Sequence, residues 1–97
     1  MTISKKDLFF TQLNSIKSTI EKSSDSQKKE HIALYIGDSF NKIISEIEQE
    51  FPDLKSALPQ KITSSGIYNR VSKCNINYLD LEIATETTLS LLKLVEK

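Results

Sequence analysis

Ile32, Ile36, Phe40, Ile43, Ile47 and Phe51 recur at spacings of four, four, three, four and four. That is one face of an α-helix carried through roughly five turns, whereas a strand would need period two. Asp38, Asn41, Lys42, Ser45, Glu46, Glu48 and Gln49 mostly fill the other faces. A stripe of this length has to be covered, and the cover it predicts is another helix.

The rest of the chain reads as three further helices. Ser4, with Asp7 three positions on, starts the first in the manner of a capping box, and Phe9, Leu13, Ile16 and Ile20 form its apolar stripe. It frays at Ser23-Ser24-Asp25-Ser26, where short polar side chains compete for backbone hydrogen bonds. Asp25 or Ser26 then caps the long second helix, which runs to about Glu50 and carries Gly37 in its middle, a place for a close helix crossing. Pro52 disfavours helical geometry at Phe51 and ends that helix, and residues 53–58 suit a single turn. Pro59 opens a third helix reaching about Cys74 through Ile62, Ile67 and Val71, with a weak middle at Ser64-Ser65-Gly66. Asn75-Ile76-Asn77 is a break with cap character, and a fourth helix follows to about Glu96. Leu81, Ala84, Thr88, Leu91 and Val95 are its main stripe, and Leu79, Ile83, Leu92 and Leu94 widen it beyond a narrow seam. Such breadth predicts a central helix or one that also meets a partner. The expected fold is all-α, an antiparallel four-helix bundle, in one domain spanning residues 1–97.

Composition narrows function by exclusion. Lysine plus arginine and aspartate plus glutamate balance at thirteen each, which argues against a dedicated nucleic-acid binder. Cys74 is the sole cysteine, so the chain is not a disulfide-stapled domain. The N-terminal residues have no apolar stretch of signal-peptide length, and the longest apolar run, Ile32-Ala33-Leu34-Tyr35-Ile36, is too short to span a bilayer. The expected location is the cytoplasm, with at most peripheral membrane association.

Candidate chemistry is sparse. His31, the sole histidine, lacks the glutamate-x-x-histidine pairing of di-iron bundles and reads as solvent-facing or capping. Glu46 and Glu50 share a helix face without an acid–base partner. Cys74 follows Val71 by three and reads as a small buried hydrophobe, far in sequence from the histidine a catalytic thiol would need. Gly37 and Gly66 alone build no phosphate loop. No catalytic, metal or cofactor site is therefore expected. The competing reading makes Ser65 to Lys73 the recognition helix of a helix-turn-helix, with Tyr68, Asn69, Arg70 and Lys73 outward. Asp80, Glu82 and Glu86 on the next helix would repel phosphates, against that reading.

The stretch from Pro59 onward resembles the enterocin A immunity family, the immunity proteins of pediocin-like (class IIa) bacteriocins. A proline opens a helix at Pro59, an apolar and aromatic stretch runs from Ile62 to Val71, and Lys73-Cys74-Asn75-Ile76-Asn77-Tyr78 forms a basic-x-Asn-Ile-polar-aromatic break. An acidic, leucine-rich last helix follows from Glu82 to Leu94. The resemblance implies an antiparallel four-helix bundle in the cytoplasm of a Gram-positive cell. It implies protection against a pore-forming peptide by binding that peptide's complex with the mannose phosphotransferase permease from inside. Recognition would fall on Tyr68, Arg70, Lys73, Glu86, Lys93 and Lys97. The alternatives are a generic helical interaction or dimerisation module, its partner then being a second copy of the chain, and a small DNA-binding regulator.

Overall fold

The computed structural model describes residues 3–68 and 71–95. Helix α1 spans Lys5–Glu21, and the Ser4 hydroxyl caps it by accepting from the Asp7 amide at 3.1 Å. At the far end of the chain, α4 spans Tyr78–Lys93. Asn77 accepts from the Asp80 amide (2.9 Å) while Asp80 accepts from the Asn77 amide (3.3 Å), so two amides at the start of α4 are satisfied reciprocally. The expected break before the last helix thus lies at a true N-cap. The two helices run antiparallel: Lys6 Nζ donates to the Val95 carbonyl (2.6 Å), and Lys17 meets Glu86 at 3.5 Å.

The continuous second helix expected from Asp25 to Glu50 is broken. A single turn, α2 (Asp25–Lys28), is capped by Ser24, and strand β1 (His31–Ala33) follows before α3 (Leu34–Glu50) begins. Ile32 is fully buried, but from a strand, so the four-residue spacing that links it to Ile36 is a coincidence of two elements. Phe51 ends α3, and Pro52–Leu54 make a 3-10 turn.

The expected third helix is absent, and the all-α bundle with it. The residues placed there form β2 (Ser64–Tyr68) and β3 (Val71–Asn77), which pair antiparallel as a hairpin with Tyr68 opposite Val71. β1 pairs on the other side of β3, also antiparallel, giving a three-stranded sheet in the order β1-β3-β2. The fold is mostly helical with a small antiparallel sheet. The physical reason lies in composition. Ser64-Ser65-Gly66 is a poor helix former, Ile67, Tyr68, Val71 and Ile76 favour strands, and two residues separate the runs. Each pairing carries an irregularity. Ser65 is an extra residue between the Ser64–Cys74 and Gly66–Lys73 pairs, and the β1–β3 register shifts between His31 and Ala33.

The connection from the 3-10 turn to β2 is clamped to α3 by one side chain. The Asn41 amide group donates to the Ile62 carbonyl and its oxygen accepts from the Ile62 amide, both at 2.8 Å. Leu58 and Ile62 are thereby held in a core made by Phe9, Leu13 and Ile20 of α1, Phe40, Ile43, Ile44 and Ile47 of α3, and Leu81, Leu89 and Leu92 of α4. Phe9 and Phe51 pack edge to face, with centroids 6.3 Å apart. Thr85 and Thr88 are fully buried in α4 and satisfied by donating to the carbonyls one turn back, Leu81 (2.7 Å) and Ala84 (2.8 Å).

Candidate functional site

The residues expected to recognise a partner are dispersed. Tyr68 closes β2 and Lys73 is a half-buried member of β3, so neither lies on a helix. Arg70 and Lys97 lie outside the described residues. Glu86 and Lys93 are both exposed on α4, Glu86 against Lys17 and Lys93 in the last turn. The segment Ser65–Lys73 is no recognition helix, because its described residues belong to the two arms of a hairpin.

Among the described residues, an apolar groove lies where α1, α3 and the start of α4 meet. It holds about 210 Å³ between Ile16, Thr19 and Ile20 of α1, Tyr35, Ile36 and Ser39 of α3, and Tyr78 and Leu81 of α4. Its position follows from the breaks on either side. β1 ends where α3 starts, and the Tyr78 amide donates to the Glu30 carbonyl (3.2 Å), which draws the first turn of α4 beside β1. The lining is mostly apolar, and the hydroxyls of Thr19 and Ser39 already donate to the carbonyls one turn back, Ser15 (3.0 Å) and Tyr35 (2.9 Å). Tyr35 is 73% exposed and forms one wall, while Tyr78 is half-buried. Burial pushes the Tyr78 phenol above its ordinary range; Tyr35 and Glu30 add to the shift, and the Ala33 amide opposes it. The phenol is therefore a neutral donor at physiological pH. The arrangement suits an apolar group with one polar tip and offers no acid–base pair. Sequence periodicity passes over this groove because Tyr35 and Tyr78 fall on no stripe and are brought together by β1 pairing with β3.

Behind the groove lies a second junction. Cys74 is buried, and its sulfur lies 3.6 Å from the Ala33 carbonyl beside the first turn of α3. Ala33 gives that helix no side-chain cap. The Gly37 amide donates to the sulfur, and a β-carbon on Gly37 would lie 2.5 Å from it. Gly37 therefore makes room for β3, where a helix crossing had been expected. His31 Nδ1 sits 2.7 Å from the Cys74 carbonyl, which ties the imidazole to the backbone of β3. Burial pushes the thiol up, the Asp38 carboxylate adds to this, and the Gly37 amide pulls it down. A neutral, inaccessible thiol packs; it does not attack.

The leucine-rich helix α4 divides more sharply than its stripes predict. Leu81, Thr85, Thr88, Leu89 and Leu92 are buried, whereas Leu79, Ile83 and Leu94 are exposed. Among the described residues no helix is long and apolar enough to cross a membrane, and no group of three histidine, cysteine, aspartate or glutamate side chains is placed to hold a metal ion. Compared with known proteins, the chain matches no family model, no curated protein and no solved structure.

Proposed function

We propose that this chain acts by binding a protein partner, without chemistry of its own, and that it is an immunity protein. Its partner would be the complex of a pore-forming, pediocin-like peptide with the mannose phosphotransferase permease, met from the cytoplasmic side. The observation that carries the binding reading is the groove. About 210 Å³ of largely apolar space accepts one aromatic ring or branched aliphatic side chain presented by a peptide. The immunity reading is supported by the resemblance where the local structure agrees with it: the Asn77 cap after Asn75-Ile76, and the acidic, leucine-rich α4 that follows. The stretch from Pro59 to Val71 lends it no support, because that stretch is not helical.

The test is a killing assay in a sensitive Gram-positive strain expressing the chain, challenged with a panel of class IIa peptides. The expected result is survival against at least one peptide, with the peptide recovered intact. Ser39→Trp fills the groove from an exposed position and should abolish that survival while leaving the melting temperature nearly unchanged. Equal killing of expressing and control cells across the panel overturns the immunity reading. Full protection by the Ser39→Trp variant overturns the role of the groove.

A further inference from the structure

The outer face of α4 is left uncovered by the folded chain. Leu79, Ile83, Ser90 and Leu94 follow one another at four, seven and four residues, opposite the buried side of the helix. Leu79, Ile83 and Leu94 are 38, 64 and 73% exposed. Single exposed apolar side chains are ordinary; here three lie in one line along α4 and its C-cap residue Leu94.

We propose that a second copy of this chain covers this face, α4 against α4, antiparallel about a twofold axis near Glu86 and Thr87. The order of residues along the stripe supports this occupant. Leu79 and Leu94 are equidistant from that midpoint, as are Ile83 and Ser90, so each Leu79 meets the other copy's Leu94 and each bulky Ile83 packs over the other's small Ser90. A twofold contact demands such self-complementarity, because one patch meets itself. Charge gives the direction. Glu82 lies near the start of the helix and Lys93 in its last turn, on the same flank of the stripe. Antiparallel helices bring like flanks together, so Lys93 of each copy meets Glu82 of the other, and the helix dipoles oppose. A parallel pair brings unlike flanks together and would leave Glu82 and Lys93 without each other. Glu86 falls close to the axis, where it would face its own counterpart. Lys17 at 3.5 Å offsets its charge. The patch is small, so the dimer is weak and forms only as concentration rises.

Sedimentation equilibrium of the full chain, run from micromolar to millimolar concentration, tests this directly. The wild type should rise from the 11.0 kDa monomer toward twice that mass. Ile83→Glu should stay monomeric with an unchanged circular dichroism spectrum, since the side chain is exposed. Lys93→Glu and Glu82→Lys should each weaken association at least threefold, and combining them should restore it. Ser39→Trp should dimerise as the wild type does, which separates this interface from the groove. A wild type that remains monomeric throughout overturns the proposal. So does a dimer indifferent to Ile83→Glu, or single charge variants whose combination gives no recovery.

Discussion

Gly37→Ala should destabilise this protein, although alanine is the better helix former. Within a helix the exchange alone is worth about 1 kcal/mol in favour of alanine. Here the new β-carbon would sit 2.5 Å from the Cys74 sulfur and 3.2 Å from Ile62 Cγ2. Neither neighbour yields easily. The sulfur is held by the Ala33 carbonyl and the Gly37 amide, and Ile62 is clamped through its backbone by Asn41. A contact as close as 2.5 Å belongs at the upper end of what overpacking costs, about 2 to 3 kcal/mol, so the net loss should be about 1 to 2 kcal/mol. Cys74→Ala alone deletes one buried heavy atom, a loss of about 1 kcal/mol. In the double variant the alanine methyl occupies the space the sulfur vacated. The sulfur clash disappears, the milder 3.2 Å contact with Ile62 stays, and the helix gain remains, so stability should return to within about 0.5 kcal/mol of wild type, a coupling of about 2 kcal/mol. Urea unfolding of the four proteins measures this, with melting shifts of about 4 to 8 °C per kcal/mol for a domain of this size. If Gly37→Ala is as stable as wild type, or if the single losses simply add, the close approach of β3 to α3 is refuted.

Phe40→Ala should cost about 3 to 5 kcal/mol in the same assay, because Phe40 is fully buried on the main stripe of α3; a loss below about 1 kcal/mol would place it outside the core. Asn41→Ala should cost about 2 to 3 kcal/mol, since it removes two hydrogen bonds and leaves the Ile62 amide and carbonyl without partners. Stability should be level through neutral pH and fall above about pH 9. Cys74 and Tyr78 both ionise later in the folded than in the unfolded chain, so rising pH draws protons from the unfolded state first and favours it. Urea midpoints against pH report the fall, and Cys74→Ala should delay its onset toward the tyrosine range.

Elements decided by neighbours in sequence were legible, and those decided by distant neighbours were not. The start of α1 is written in Ser4 and Asp7, and the start of α4 in Asn77. Both are local hydrogen-bond motifs that need nothing from the rest of the chain. β1 has no such signature. His31-Ile32-Ala33 sits inside a helical period, and only pairing with a strand some forty residues later makes it extended. The third helix failed differently. The weak middle at Ser64-Ser65-Gly66 was visible as poor propensity, and the two-residue gap between Ile67-Tyr68 and Val71 would have served as a hairpin signal. The helical period of the apolar residues competes with both signals and masks them. On α4, a helical wheel can show that apolar residues ring the helix, but not which side the core takes. Thr85 and Thr88 can lie inward because their hydroxyls bond back to their own helix, while Ile83 and Leu94 lie outward. The groove needs Tyr35 and Tyr78 side by side, and no local pattern brings them there.

The first turn of α3 has no side-chain cap from its own neighbourhood, and it borrows contacts from β3. Its order is therefore conditional on a hairpin more than thirty residues downstream. Until that hairpin exists, β1 has no strand to pair with, and bringing the two together closes a long loop. The rest of α3 escapes this dependence, since Phe40, Ile43 and Ile47 can settle against α1 without the sheet. The amides of residues 34–37 should therefore exchange with solvent in step with those of β3. Any force or ligand that peels the hairpin away would unwind the start of α3 and open the wall of the groove that Tyr35 provides.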